Sequence, residues 1–119
     1  MLDPQGNEPK IQSPFYEQEL IKSFTDYLSL LKTLNVEPPI FIFLTLLGVK
    51  GFSLALKRGH YDNEGYKIDR EILPLPEVVI DNYDVSAEKV LQPCFDSIWN
   101  ACGFPRDLYY DDKGEWHPK

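Results

Sequence analysis

Residues 40–47 (IFIFLTLL) constrain the fold of this chain more than any other stretch, because Thr45 is the only polar residue among the eight. Pro38-Pro39 precede the run and Gly48 follows it. A short apolar run between such residues is typical of a strand buried on both faces, although periodicity alone does not distinguish it from a buried helix. The run is too short to cross a bilayer as a helix. We therefore expect the central strand of a sheet, with an association surface as the alternative.

The residues after this apolar run predict a hairpin and an edge strand. Gly48 and Gly51 supply the positive φ values that a tight turn needs, and residues 52–57 (FSLALK) alternate between large apolar side chains and small or polar ones. The sequence therefore predicts an antiparallel hairpin between the apolar run and residues 52–57. Two prolines permit only an edge strand in residues 75–81 (LPEVVID).

Two amphipathic helices flank these predicted strands. Ser13-Pro14 marks the start of the first, with serine as the cap and proline in the first turn, and the helix runs to about Asn35. Its apolar face recurs at three- and four-residue spacing: Leu20, Phe24, Tyr27, Leu28, Leu31 and Leu34. Ser86 caps the second helix and Gly103 ends it, while Pro93 must kink the helix or begin it afresh. Its core stripe consists of Leu91, Phe95, Ile98 and Cys102.

These elements predict an α+β fold, in which a small antiparallel sheet (the hairpin plus the edge strand) is packed by the two helices. Residues 1–12 are polar, contain Pro and Gly, and predict a linker or disordered segment, so residues 13–119 form a single domain. The C-terminal tail is aromatic, with Tyr109, Tyr110 and Trp116 close together. It either folds back over the core or forms a partner-facing patch, since Trp and Tyr are enriched in interface hot spots.

The charge of the chain argues against nucleic-acid binding by most of its surface. The formal net charge is −7, and affinity for nucleic acid comes largely from Lys and Arg residues that displace counterions. Residues 40–73 are the exception, because they carry five bases against four acids. The candidate anion contacts are the bases of this stretch: Lys50, Lys57, Arg58, Lys67 and Arg70.

No catalytic, cofactor or metal-binding motif is recognisable, so we expect a protein that is not an enzyme and needs no cofactor. His60, Asp62 and Glu64 alternate as metal donors could, but their segment is polar throughout and fits a solvated loop. A second polar row fits the solvated face of the second helix: Gln92, Asp96 and Asn100.

The two cysteines and the N-terminus predict a cytoplasmic protein without a membrane segment. Cys94 and Cys102 lie eight residues apart in one predicted helix, about 12 Å at ~1.5 Å per residue, which is beyond the reach of a disulfide. We interpret them as small buried apolar side chains. Residues 1–11 contain no apolar stretch of the kind that a signal peptide requires.

Several short motifs between residues 38 and 119 occur together: PIFIFL (39–44), GVKG (48–51), IDR (68–70), LPEV (75–78), FDSIWNACG (95–103), YYD (109–111) and GEW (114–116). In these motifs the chain resembles the C-terminal region of bacterial proteins that carry an AlbA-like, Schlafen-type DNA-binding domain at their N-terminus. The resemblance implies a whole protein that engages nucleic acid, in a regulatory or defence-type role, through a domain whose motifs do not occur in these residues. It implies that this piece is the C-terminal accessory half, and it transfers no DNA-contacting residue.

The sequence therefore predicts a non-catalytic accessory or interaction module of a DNA-associated bacterial protein. The expected partner is another protein or an N-terminal domain of the same chain, with homo-oligomerisation as a further option. Two alternatives stay open: direct nucleic-acid binding through residues 50–70, and an enzyme whose site the sequence does not reveal.

Overall fold

The computed structural model of the chain describes residues 9–55 and 66–118. The elements follow in the order β1 (Lys10–Gln12), α1 (Phe15–Thr33), β2 (Ile40–Ile42), β3 (Thr45–Leu47), β4 (Ser53–Ala55), β5 (Ile72–Pro74), β6 (Val78–Ile80) and α2 (Ala87–Ala101). Two helices combined with short, mostly antiparallel strand pairs confirm the predicted α+β class.

One long antiparallel ribbon contains most of the strands. β2 pairs with β6, and β3 pairs with β5. Backbone hydrogen bonds continue the pairing between and beyond these strands, from the Leu75 amide to the Leu44 carbonyl (2.9 Å) and from the Ile68 amide to the Phe52 carbonyl (2.7 Å). Residues 40–52 therefore lie against residues 68–80 along their whole length, and we call this pair of segments the ribbon.

The predicted hairpin between residues 40–47 and 52–57 is wrong. Gly48 and Gly51 do have positive φ values (68° and 88°), and the Phe52 amide donates to the Val49 carbonyl, so a turn forms. This turn leads into β4, which pairs in parallel with β1 and not with β3. The strand that pairs with β3 is β5. The residues of a turn determine local geometry, and they do not specify which distant segment pairs with the strand before the turn. The residues of the predicted hairpin after Ala55 lie outside the described residues.

The N-terminal boundary also differs from the prediction. Residues 10–12 were expected in a linker, but they form β1. Ile11 packs against the core, and the Ser13 amide donates to the Ala55 carbonyl (3.0 Å), which prolongs the β1–β4 pairing. This pairing takes Ser13 away from the cap position, so Pro14 is the N-cap of α1 and no side chain caps the helix.

The predicted second helix is confirmed. Ser86 is the N-cap of α2, and Gly103, with φ of 89°, lies just beyond its C-cap. The Ser86 hydroxyl donates to the Glu88 carboxylate rather than accepting from the backbone. The helix continues through Pro93, so it does not begin afresh there.

The core is built around the apolar face of α2. The predicted core stripe of α2, which consists of Leu91, Phe95, Ile98 and Cys102, is fully buried, and so are Cys94 and Trp99. Both cysteines are free thiols, as predicted. α1 packs against α2, and the inner side of the ribbon joins the same cluster with Leu73, Leu75, Val78 and Ile80. The predicted edge strand, β6, has β2 as its one neighbour among the described strands.

Candidate functional site

The outer face of the ribbon is apolar and uncovered in the described part of the chain. Side chains alternate between the two faces of a strand, and along residues 40–47 the even-numbered ones point to the core while the odd-numbered ones are exposed. The exposed fractions of the large apolar side chains on this face are Phe41 56%, Phe43 70%, Leu47 72%, Ile72 56% and Val79 41%. We call these five residues the apolar strip.

The strip includes residues from both segments of the ribbon, with the Thr45–Pro74 pair between its two ends. Phe41 lies directly opposite Val79, and Leu47 lies directly opposite Ile72, so each pair shares the outer face. Since an aromatic side chain alone offers about 150–250 Å², the five together expose on the order of 500 Å² of apolar surface, within the range of the largest patch on a typical monomer. The expectation of a strand buried on both faces is wrong, because no second layer among the described residues covers this side.

The charges differ between the two ends of the strip. Glu77 and Asp81 lie at the end formed by Phe41, Phe43 and Val79, whereas the exposed Lys50 and Arg70 lie just beyond Leu47 and Ile72 at the other end. Glu77 is exposed two residues before Val79, and Asp81 is exposed just after β6. An apolar centre with charged residues at its rim is suited to contact with another molecule, since the centre excludes water and the rim selects by charge.

A second unusual feature is a pair of fully buried carboxyl groups. Glu17 in the first turn of α1 and Asp107 after α2 have no exposed surface. The Trp99 indole N–H donates to Glu17 Oε2 (2.8 Å), and the Trp116 indole N–H donates to Glu17 Oε1 (2.9 Å). Glu17 thereby ties α1 to α2 and to the C-terminal tail.

Asp107 holds the turn after α2. Its Oδ1 accepts from the Tyr109 amide (2.9 Å), and its own amide donates to Asp96 Oδ1 (2.8 Å). Burial raises the pKa of Asp107 to about 9, assisted by a hydrogen bond to Glu17 and by the charge of Glu17. Asp107 therefore carries a proton at neutral pH. With both groups sealed from solvent, the pair serves to hold elements together rather than to meet a substrate.

The buried pair Glu17 and Asp107 was not predicted from the sequence, although the spacing of residues in α1 contains one signal for it. Glu17, Ile21, Phe24 and Leu28 follow each other at three- and four-residue spacing, and all four are buried on the same side of α1. A carboxylate within an apolar stripe needs a partner, because burying an unpaired charge is costly. Asp96, assigned to a solvated polar row, also takes part through its bond to the Asp107 amide.

The aromatic tail folds back over the core. Tyr109 and Tyr110 are buried, and Trp116 is half-buried against the core cluster. Trp99 meets the Tyr109 ring edge-to-face, with centroids 5.2 Å apart. The two tyrosines therefore offer no surface to a partner in this fold, and their assignment as partner contacts is corrected; only Trp116 keeps an exposed part.

Three of the candidate anion contacts, Lys50, Lys67 and Arg70, lie at one end of the ribbon, because the Gly51 amide donates to the Ile68 carbonyl (2.8 Å) and the Gly48 amide donates to the Glu71 carbonyl (2.8 Å). Lys50 and Lys67 are exposed, and Arg70 lies 3.8 Å from the Asp69 carboxylate. Lys57, Arg58 and the row of three polar residues from His60 to Glu64 lie outside the described residues. Within residues 9–55 and 66–118, no group of three His, Cys, Asp or Glu residues is placed to hold a metal ion.

An apolar cleft opens between α1 and the inner side of the ribbon. It has a volume of about 310 Å³ and is lined by Leu20, Ser23, Phe24, Tyr27, Ile42, Leu44 and Leu91. Ligand sites combine apolar walls with a few convergent polar groups, and only Ser23 and the Tyr27 hydroxyl provide such groups in this lining. The cleft therefore gives no support to catalysis.

Comparisons with protein-family models, curated proteins and solved structures find no match for this chain. None of the helices in the described residues has the length and apolar character needed to span a membrane.

Proposed function

We propose that this chain is a non-catalytic protein-association module that binds its partner through the apolar strip. The observation that carries the proposal is the exposure of five large apolar side chains on one face of the ribbon. A sheet normally buries an apolar face against another layer. The largest exposed apolar patch on a monomer, about 300–600 Å² in extent, is often functional.

The setting of the module is proposed from the resemblance of the motifs in residues 39–116. They support an accessory half of a cytoplasmic, DNA-associated bacterial protein with a regulatory or defence-type role. In that setting the strip packs on a partner protein or on a neighbouring domain, while another domain engages the nucleic acid.

Direct nucleic-acid binding by residues 50–70 has less support. It was proposed for a basic hairpin, but β4 pairs with β1 instead, and Arg70 lies beside Asp69. The net charge of −7 also opposes binding to a polyphosphate.

We expect photo-crosslinking in bacterial cells to identify the contact. p-Benzoylphenylalanine placed at Phe43 should form a crosslink with one defined partner, which mass spectrometry of the crosslinked peptides then identifies. The matched control is the same substitution at Leu30, which is 53% exposed on α1 outside the strip and should give no such product. Equal crosslinking from both positions, or none from position 43, would contradict the proposed association surface.

A further inference from the structure

We infer that the apolar strip is occupied by a second copy of this chain, packed face to face with its ribbon running in the opposite direction. The inference rests on the proposed function, and it names the partner. The carrying observation is that the two ends of the strip differ in charge and in side-chain type, so that each end fits the other end rather than itself.

The charged residues beside the strip are arranged by sign. Glu77 and Asp81 are exposed at the end that contains Phe41. The other end carries three exposed bases and two exposed acids: Lys50, Lys67, Arg70, Asp69 and Glu71. Antiparallel packing brings the acidic end of each copy to the mainly basic end of the other, so opposite charges meet twice across one two-fold axis.

The apolar side chains show the same end-to-end difference. The acidic end presents the rings of Phe41 and Phe43, and the mainly basic end presents the branched side chains of Leu47 and Ile72. Antiparallel packing places rings on aliphatic side chains at both ends, with the Thr45–Pro74 pair of each copy at the two-fold axis. The second ribbon thereby supplies the layer that an apolar sheet face requires, at the ~10 Å spacing of stacked sheets.

The size of the strip and the charge of the chain predict a weak dimer. Two strips together bury on the order of 1,000 Å², the lower bound for a specific interface. Each copy has a net charge of −7, and this general repulsion is screened over about 8 Å at physiological salt. In the packed dimer the opposite charges at the strip ends come closer together than that distance, so they still attract.

Sedimentation equilibrium of the whole chain at physiological salt, between about 5 and 500 µM protein, tests the inference. We expect a monomer–dimer equilibrium, which Phe43→Thr/Leu47→Thr weakens by about tenfold or more. Thr45→Cys should form a disulfide between two copies under mild oxidation, because residue 45 lies at the two-fold axis. Thr33→Cys, at an exposed position on α1, is the matched control and should stay reduced, and both native cysteines are buried.

Reversing the charge at either end of the strip tests the direction of packing. Glu77→Lys/Asp81→Lys and Lys50→Glu/Arg70→Glu should each weaken the dimer by about tenfold, because like charges then meet at both ends. An equimolar mixture of these two variants should restore it, since opposite charges meet again. Glu19→Lys/Asp112→Lys is the matched control: it changes the net charge as much as the first variant does, at exposed positions outside the strip, and should not weaken the dimer.

The outcomes separate this inference from the proposed function. A wild-type chain that stays monomeric over this range, while position 43 still crosslinks to a different protein, would overturn the inference and leave the association surface standing. A dimer that Phe43→Thr/Leu47→Thr does not weaken would overturn the inference, because the copies then associate through another face. A mixture of the charge-reversed variants that stays monomeric would contradict the antiparallel packing. A monomeric chain with no crosslink from position 43 would overturn both proposals.

Discussion

Replacing Glu17 by alanine is expected to lower the free energy of unfolding by about 3–5 kcal/mol, the usual cost of removing one member of a buried polar network. The change leaves the indole N–H groups of Trp99 and Trp116 without the acceptor that each now uses. An unsatisfied buried donor costs about 1–3 kcal/mol, and the space left by the side chain adds a cavity cost. Urea denaturation followed by far-UV circular dichroism measures the loss.

Glu19→Ala is the matched control for this prediction. Glu19 is a carboxylate on the same helix, two residues away, but its side chain is exposed, so its replacement should change the stability by about 0.5 kcal/mol or less. Similar losses for the two variants would contradict the role of Glu17 as the link between α1, α2 and the tail.

Stability is expected to fall steadily as the pH rises from about 4 to about 9. The pKa of Asp107 is raised by burial from 3.8 to about 9 in the folded protein. Below pH 4 the carboxyl is protonated in both states, so its contribution to stability is fully present. Above pH 4 the unfolded state releases the proton while the folded state keeps it, so the free energy of unfolding decreases as the pH rises. The drop ends once the folded state also releases the proton, near pH 9.

Asp107→Asn should remove most of this pH dependence. The amide keeps an acceptor for the Tyr109 amide and a donor toward Glu17, and it does not titrate. The other groups with shifted pKa values contribute mainly at the ends of this interval. Burial raises the pKa of Tyr16, Tyr110, Cys94 and Cys102, which lose protons in the unfolded state only near pH 9 or above, and the Glu115 amide lowers the pKa of Asp111, which titrates at low pH. Urea midpoints of both proteins at pH 5, 7 and 9 measure the effect. Parallel curves for the variant and the wild type would show that Asp107 does not carry the proton.

The helices could be predicted from the sequence because their signals are local. The spacing of Leu91, Phe95 and Ile98 identifies the buried face of α2, and Gly103 marks its end. The strand pairing could not be predicted, since β3 joins β5 across more than twenty residues and nothing in the turn at Gly48 excludes the nearer partner. A pairing of this kind depends on competition between distant segments.

Part of the candidate site could be predicted from the sequence. The composition of residues 40–47 predicts an apolar strand, but the burial of its two faces depends on how many layers of helices and strands the whole chain forms. The odd-numbered side chains are exposed because the described residues form one layer of helices and one ribbon. Glu17 and Asp107 lie far apart in the sequence and come together only in the tertiary fold. The one sequence signal for this carboxyl pair is the position of Glu17 within the apolar stripe of α1.

If the apolar strip lies outside the core and is available for association, the double variant Phe43→Thr/Leu47→Thr should be nearly as stable as the wild type. Threonine keeps the preference for a strand, and both side chains are mostly exposed, so we expect urea denaturation to show a change in unfolding free energy below about 1 kcal/mol. The control Leu73→Thr, on the buried inner side of the ribbon, should lose about 2–4 kcal/mol. A loss of about 4 kcal/mol or more in the strip variant would instead place Phe43 and Leu47 in the core and leave no exposed strip for association.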